Sequence, residues 1–139
     1  MFLYALGCIF ACTSSKAEKS GAEVYSTYCV HCHQENGQGV AKRYPPLAGS
    51  EWLTGTKLIK IVLHGLHGDI VVRGETYSNV MGPWGYALSD SEVAGVVNHI
   101  RSSWGNQLAP TNIEEVGRIR KKYEGRHSWT AAELESTDK

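Results

Sequence analysis

The sequence carries no net charge and contains no long hydrophobic run. Its 139 residues include 14 lysines and arginines against 14 aspartates and glutamates. It therefore lacks the basic footprint that is typical of nucleic-acid-binding proteins. The uncharged apolar stretch at its start, residues 1–12, is shorter than the ~20 residues that a membrane-spanning helix needs. The length predicts one compact domain with at most a tail, rather than two full domains.

Phenylalanine and methionine are also scarce. There are two phenylalanines and, apart from Met1, a single methionine, Met81. Seven tyrosines and four tryptophans are a modest number of aromatic residues, so the sequence offers few large side chains to fill a hydrophobic core. Fifteen glycines indicate many turns. The four cysteines are compatible with disulfides, a metal or a cofactor, and only their spacing distinguishes these.

The first twelve residues, MFLYALGCIFAC, differ in character from the rest of the chain. They match the apolar region of a secretory signal, and a small, polar stretch follows them. The segment Ile-Phe-Ala-Cys ending at Cys12 resembles a bacterial lipoprotein cleavage box, and Cys8 lies in a rival box. We rank a lipoprotein signal first, a plain secretory signal second and a buried helix third. We therefore expect a signal over residues 1–11, a lipidated Cys12, a polar tether over 12–19, and an exported protein anchored on the periplasmic side of a bacterial membrane.

The remaining chain contains four Ser/Thr-x-x-Glu patterns, each of which is typical of a helix start. They begin at Ser20, Ser89, Thr111 and Thr130. The pattern at Ser89 opens the clearest amphipathic helix, with apolar residues recurring at helical spacing as far as Trp104 and Gly105 at its end. The Thr111 pattern precedes an apolar face formed by Ile113, Val116, Ile119 and Tyr123. The Thr130 pattern predicts one last turn before a polar tail over residues 135–139.

Between the first two of these helices lie one further helix and long loops. Residues 57–64 (KLIKIVLH) predict a short apolar helix that Gly65 ends. Residues 37–50 contain Pro45-Pro46 and are predicted to be a long loop, which in a compact domain usually has a function. Residues 70–72 and 75–77 flank a turn and predict a small hairpin, and residues 79–85 are irregular. The chain is thus predicted to be mostly helical.

The decisive motif is Cys29-Val30-His31-Cys32-His33. On a helix the two thiols and His33 share one face, and C-x-x-C-H is the attachment signature of c-type haem. Two thiols form thioethers with the haem vinyl groups, and the adjacent imidazole supplies an axial nitrogen to the iron. A disulfide would not need His33, and a thioredoxin-like motif would need a βαβ pattern that is absent here. A zinc site would have to recruit two further ligands, for which His64 and His67 are candidates.

A six-coordinate electron carrier needs a second axial ligand. Met81 lies in an irregular loop between Val80 and Gly82, which favours ligation over simple core packing. His64 and His67 are the competing candidates.

Together with its neighbours, the motif resembles those of mono-haem class I c-type cytochromes. The resemblance rests on the attachment site, Gly37-x-Gly39, Pro45-Pro46-Leu47-Ala48-Gly49, the stretch YSNVMGPW over 77–84, and Leu88-Ser89-Asp90 leading to Trp104-Gly105-Asn106. It covers residues 20–106, and residues 107–139 would be a helical extension with a polar tail. It implies an all-α class I cytochrome c fold around one covalent haem, with a small hairpin before the methionine loop.

The resemblance also implies the roles of individual residues. Cys29 and Cys32 would form the thioethers, His33 would be the proximal ligand and Met81 the distal ligand. The Pro45 carbonyl would accept a hydrogen bond from the His33 ring. Further haem-contacting positions would be Leu47, Tyr77 and Trp84.

Two further details concern glycines. Gly82 stands where the family often has proline, which loosens the ligand loop. Gly21 and Gly95 would either allow the first and last haem-domain helices to approach closely or lie at the surface.

Such a protein would be an electron carrier and not an enzyme. It would pass one electron at a time between redox proteins outside the cytoplasm, with no small-molecule substrate and no nucleic acid. Two alternatives stay open: a fixed haem subunit of a larger oxidase, nitrite reductase or dehydrogenase, docked through residues 106–139, and a gas-binding or peroxidatic haem if the Met81 bond is labile. The basic residues Arg118, Arg120, Lys121, Lys122 and Arg126 form a candidate docking patch, although a solvated helix face is the simpler interpretation. We likewise expect His99 and His127 to be solvated.

Overall fold

The computed structural model describes residues 17–138. The expected signal segment and the lipidated Cys12 lie outside these residues, as does most of the expected tether. The described helices are α1 (Gly21–Val24), a π-helical turn (Tyr25–Cys29), α2 (Val30–His33), a 3-10 turn (Glu51–Leu53), α3 (Lys57–His64), α4 (Asp90–Ser102), α5 (Ile113–Lys122) and α6 (Ala131–Thr137). Strands β1 (Ile70–Val72) and β2 (Glu75–Tyr77) form one antiparallel pair. No helix within 17–138 is long and apolar enough to cross a membrane.

α1, the π-helical turn and α2 form one continuous helical run, which we call the N-terminal helix. Ser20 begins it with the predicted capping box, because its hydroxyl accepts from the Glu23 amide and the Glu23 carboxylate accepts from the Ser20 amide. The π-helical turn is a wider turn that ends at Cys29, the first of the two cysteines, and π-bulges often occur at functional sites. Val24 and Tyr25 are buried on the inner face.

The N-terminal helix crosses α4 at Gly21 and Gly95. A Cβ on Gly21 would overlap the carbonyl oxygen of Gly95, so the close approach that was one of two expectations for these glycines is confirmed. Beside this crossing, the Tyr25 ring lies 5.4 Å from the His99 ring and 5.1 Å from the Trp104 ring. His99 is therefore half-buried in a packed aromatic group and less solvated than expected.

The short elements between these helices match the predicted bounds. α3 ends at Gly65, whose φ of 81° is a conformation that favours glycine. In the hairpin, Ile70 pairs with Tyr77 and Val72 with Glu75 across the Arg73-Gly74 turn. The loop over 37–50 has no regular helix, as expected from its prolines.

α4 begins at the predicted capping box of Ser89 and Glu92, but it ends earlier than expected. Its last residue is Ser102, and Trp104 has a φ of 52° beyond it. The indole N–H of Trp104 donates to the Glu35 carbonyl at 2.9 Å, so tertiary contacts draw this ring out of the helix.

The C-terminal segment, residues 107–138, corrects three expectations. α5 is capped by Asn112, which accepts from the Glu115 amide at 2.8 Å, whereas the Thr111 hydroxyl bonds to the Glu115 carboxylate. Ile113 is 50% exposed and does not belong to the apolar face. The capping box at Thr130 is present, but α6 then continues through residues predicted to be a polar tail.

The end of the segment is tied to the core. The carboxylate of Asp138 lies 3.3 Å from the ammonium group of Lys60, which is 2% exposed. Asp138 also accepts from the amide and hydroxyl of Thr56. A polar end of the chain thus neutralises a buried charge in α3, and the segment packs as part of the domain.

Two residues of the candidate basic docking patch, Arg120 and Arg126, make contacts within the fold. Arg120 bonds to Asp90 at 2.6 Å and to the carbonyls of Gly85 and Leu88, which joins α5 to the start of α4. Arg126 lies 2.6 Å from the Glu133 carboxylate and 3.5 Å from the centre of the Trp129 ring. These two arginines are therefore committed to internal contacts.

Candidate functional site

An apolar cleft lies between the N-terminal helix, the loop after it, α3, α4 and the loop that carries Met81. It has an inner part against the core and an outer part towards the Met81 loop. Seven residues line both parts: Cys29, His33, Pro45, Leu66, Ile70, Met81 and Trp84. The inner wall is almost wholly hydrophobic and is completed by Leu47, Trp52, Leu53, Leu58, Ile61, Val62, Val72, Leu88, Val96 and Ile100.

The two cysteines are free thiols at the mouth of this cleft. Both are half-buried, with Cys29 at the end of the π-helical turn and Cys32 in α2. Burial raises the pKa of the Cys29 thiol to about 11, and the neighbouring Cys32 adds to the rise. The structure thus presents two thiols, not a disulfide, on one side of the cleft.

The His33 imidazole is oriented by a backbone carbonyl. Its Nδ1 lies 2.9 Å from the Pro45 oxygen, so Nδ1 carries the proton and donates, and Nε2 keeps its lone pair. Burial lowers the pKa of His33 and so favours the neutral ring, although the bond to Pro45 opposes this shift. Such a second bond fixes the tautomer and raises the basicity of a ligating nitrogen.

Gly39 lets the loop reach this position. The Gly39 amide donates to the His33 carbonyl at 3.0 Å, and a Cβ on Gly39 would overlap the carbonyl oxygens of Tyr44 and Pro45. The Gly37-x-Gly39 motif therefore brings Pro45 back onto the helix that carries His33. Asn106 fixes the far side of the loop, since its side chain bonds to Gly49 and to the carbonyls of Leu47 and Ile100.

Met81 lies on the same cleft as His33 and Cys29. It exchanges two backbone hydrogen bonds with Leu66, with N···O distances of 3.0 and 2.9 Å. Its side chain is half-buried and packs against the cluster that contains Tyr77 and Trp129. The loop around it is open at Gly82, where an added Cβ would meet nothing within 4 Å in the described part of the chain.

The competing ligands lie elsewhere. The His64 ring packs near the rings of Tyr123 and Trp129, and His67 bonds to the Ser128 hydroxyl at 2.7 Å. Neither histidine lines the cleft. Over residues 17–138 no three His, Cys, Asp or Glu side chains are grouped to hold a metal ion, so the zinc alternative lacks its ligands there.

The remaining predicted contacts also reach the cleft. Leu47 lines the inner part, Tyr77 the outer part and Trp84 both. Trp84 is held in place because its backbone N–H donates a hydrogen bond to the Val62 carbonyl. Its ring lies 5.0 Å from that of Tyr28. Sequence reasoning missed Tyr28 and the inner wall, although the helical recurrence of Val96 and Ile100 already marked part of that wall as apolar.

The donor set suits a c-type haem. Two thiols, an imidazole whose Nδ1 is bonded to Pro45 and a thioether sulfur border one apolar cleft, which would exclude water from the macrocycle. Among the described residues, no acidic cage that would suit a hard metal ion lies in the same place.

Comparison with known proteins agrees with this chemistry. A family model described as "Cytochrome c" matches residues 18–104. The chain is 41% identical over 117 residues to a protein named cytochrome c-552 from Thermus thermophilus, covering 76% of this chain and 78% of that protein. This similarity therefore spans most of both chains.

Two further relatives are subunits of larger enzymes. The chain is 38% identical to an alcohol dehydrogenase (quinone) cytochrome c subunit from Gluconacetobacter polyoxogenes, covering 71% of this chain and 22% of that protein. It is 37% identical to a gluconate 2-dehydrogenase cytochrome c subunit from Pantoea cypripedii, covering 74% of this chain and 24% of that protein. The chain thus matches about a quarter or less of each of these subunits.

Proposed function

The chain belongs to the cytochrome c family, and from that premise we propose which of its residues hold the haem and what the protein does with it. Members of this family carry covalently bound haem c, and this chain is an electron carrier rather than an enzyme. When bound, the haem supplies the redox chemistry by alternating between Fe(III) and Fe(II). The protein supplies the ligands, the dielectric and the access route.

Cys29 and Cys32 hold the macrocycle by two thioether bonds in this proposal. Each thiol would bond its sulfur to one carbon of a haem vinyl group, and the thiol hydrogen would saturate the other carbon. The half-buried position of both cysteines on the side of the cleft next to His33 supports this role.

His33 and Met81 are the proposed axial ligands. His33 presents Nε2 because Pro45 occupies Nδ1, and Met81 is the thioether that lines the same cleft. A methionine ligand raises the reduction potential relative to many other haem environments. With both positions filled by side chains, the protein leaves no open site for a substrate.

The observation that carries this proposal is the joint lining of one apolar cleft by Cys29, His33 and Met81. A spectroelectrochemical titration of the purified protein tests it. We expect a reversible one-electron transition and no binding of carbon monoxide by the reduced protein. Ready carbon monoxide binding would instead support the alternative of a gas-binding or peroxidatic haem.

We propose that the protein is a free shuttle rather than a fixed subunit. The subunit alternative is supported by the names of the dehydrogenase relatives and of a cbb3-type oxidase subunit from Azorhizobium caulinodans, 31% identical. It would require residues 106–139 to dock on a partner. Four apolar residues of this segment instead pack in the chain's own core, namely Val116, Ile119, Trp129 and Leu134, and Ile113 is exposed. Failure to co-purify with a catalytic subunit is the expected result, and stable co-purification would favour the alternative.

We also propose that the protein is exported to the periplasmic side and anchored through a lipidated Cys12. The support is the apolar segment that ends in Ile-Phe-Ala-Cys at residues 9–12. Mass spectrometry of the mature N-terminus should find a lipid-modified Cys12 as the first residue. An unmodified Cys12, or another first residue, would refute the anchor without affecting the haem proposal.

A further inference from the structure

The C-terminal segment reaches the Met81 loop through a single intervening residue. Leu66 exchanges backbone hydrogen bonds with Met81 on one side. On its other side Trp129 runs parallel to it, since the Trp129 amide donates to Gly65 at 3.0 Å and the His67 amide donates to Trp129 at 2.8 Å. Residues 65–67 are thus a narrow ribbon between the C-terminal segment and the residue proposed to bind iron.

This ribbon has few other backbone hydrogen bonds, although the Leu66 side chain is itself buried. It follows the end of α3, and within residues 17–138 the backbone groups of Leu66 and His67 bond to no backbone partner other than Met81 and Trp129. The His67 ring bonds to the hydroxyl of Ser128, next to Trp129. A Cβ on Gly65 would overlap the Met81 carbonyl, so the ribbon and the ligand loop are in direct contact.

Trp129 is the anchor of the C-terminal side. It is fully buried, with the Arg126 guanidinium 3.5 Å and the Lys60 ammonium 5.6 Å from its ring centre, and the Tyr123 ring 4.9 Å away. Its indole nitrogen has no hydrogen-bond partner among the described residues. The side chain therefore acts through packing and cation–π contact, and not through its N–H.

We infer that Trp129 is a positioning residue for Met81. It holds residues 65–67 in place, and these hold the backbone of Met81 through the two hydrogen bonds between Leu66 and Met81. Loss of the Trp129 contacts would let the loop leave its place and expose the sixth coordination position of the iron. This inference rests on the proposed role of Met81 as distal ligand.

The test uses the full-length haem-loaded protein and imidazole as the external ligand. The variants are Trp129→Ala, Trp129→Phe and Leu134→Ala. Leu134 is the matched control, because it is equally buried in the same cluster and the same segment, but its backbone bonds to Thr130 rather than to residues 65–67. Imidazole affinity of the oxidised protein and the iron–sulfur charge-transfer absorbance are measured beside the free energy of unfolding.

The apparent affinity of a ligand scales with the population of the competent state, so we expect Trp129→Ala to tighten imidazole binding on the order of tenfold or more. Trp129→Phe should restore near-native affinity, because the indole N–H bonds to none of the described residues. Leu134→Ala should lower stability but change imidazole affinity by less than about threefold. Equal effects of Trp129→Ala and Leu134→Ala, or no effect of either on imidazole binding, would overturn the inference.

The variant Met81→Ala distinguishes failure of this inference from failure of the proposal that Met81 is the distal ligand. If that change leaves the absorbance and the imidazole affinity unaltered, the ligand assignment itself fails. If it alters both while Trp129→Ala alters neither, only the inference fails.

Hydrogen exchange on the wild-type protein provides a second test should Trp129→Ala not fold. The amides of Leu66, His67, Met81 and Trp129 should exchange through one shared opening. If the Trp129 amide opens while those of Leu66 and Met81 stay protected, the inference is wrong.

Discussion

Gly21 and Gly95 meet backbone to backbone where the N-terminal helix crosses α4. A Cβ on Gly21 would overlap the Gly95 carbonyl oxygen, so the two helices can pack at this distance only if residue 21 has no side chain. This crossing fixes the direction in which the N-terminal helix presents Cys29 and His33 to the cleft.

Gly21→Ala should therefore destabilise the protein. Overpacking of a tight contact costs roughly 1–3 kcal/mol, which exceeds the ~1 kcal/mol that alanine gains over glycine in a helix. Chemical denaturation of the haem-loaded protein measures the change. Gly82→Ala is the control, since a Cβ there has free space among the described residues and should leave stability unchanged or slightly higher. A neutral Gly21→Ala would show that the helices do not pack this closely.

Met81→Ala should lower the reduction potential and allow the reduced protein to bind carbon monoxide. The reason is that the thioether is the proposed sixth ligand and axial ligands move haem potentials over a range of ~0.8 V. Potentiometry and carbon monoxide difference spectra measure the two effects. Tyr86→Ala, at a position that is 82% exposed and outside the cleft lining, should change neither. An unchanged potential in Met81→Ala would mean that another group binds the iron.

Asp138→Asn should destabilise the protein by roughly 3 kcal/mol, because it leaves the buried Lys60 ammonium without its carboxylate. A double-mutant cycle with Lys60→Met isolates this pair. In the Lys60→Met background the cost of Asp138→Asn should fall by at least about 1 kcal/mol. Additive effects would show that Asp138 acts only through Thr56.

The same contact gives stability a pH dependence. Burial pushes the pKa of Asp138 upward, but bonds from Thr56 and Lys60 outweigh it and leave the pKa below its ordinary value. The ionised form is thus favoured in the folded state. Its stabilisation is complete above the ordinary aspartate pKa and is lost as the pH falls through the lowered value.

Glu133 should add a smaller effect of the same sign. The bond from Arg126, with those from Thr130, lowers the pKa of Glu133 from 4.5 to about 2. Glu133 therefore stabilises the folded state above pH 4.5, and this contribution is lost between pH 4.5 and about 2. Its side chain is 45% exposed, so solvent screens the pair and the effect is modest.

Glu133→Gln tests this, since glutamine can retain the capping-box bond to Thr130 but not the charge. The difference in unfolding free energy between wild type and variant should be larger at pH values above the ordinary glutamate pKa than near the lowered value. The control is Glu133→Gln in an Arg126→Met background, where the loss of the cation at 2.6 Å should make the pH-dependent difference smaller. A Glu133→Gln difference that is constant with pH would contradict the assignment.

The locally determined features could be predicted from the sequence. Ser20 and Ser89 cap their helices with partners three residues away, and Gly65 ends α3 where the apolar run stops. The Cys29–His33 motif is equally local. In contrast, Thr111 and Asn112 compete for one cap, and sequence pattern alone could not decide between two adjacent residues that can both bond to Glu115.

Features that depend on distant partners could not be predicted. The polar residue Asp138 looked like part of a free tail, yet its partner Lys60 lies 78 positions away. Trp129 lies in no recognisable sequence motif. Its burial depends on α3, α5 and the ribbon at Leu66 together. The inner wall of the cleft is likewise made of residues from separate elements, so their common face becomes visible only in the folded chain.

The most direct test of the account is haem staining of the purified protein on a denaturing gel, with a pyridine haemochrome spectrum of the same sample. We expect one haem per chain that stays on the polypeptide after denaturation and gives the spectrum of a macrocycle with both vinyl groups saturated. The double variant Cys29→Ala, Cys32→Ala should lose the stain. Haem that separates from the wild-type polypeptide on denaturation, or no haem at all, would contradict the account.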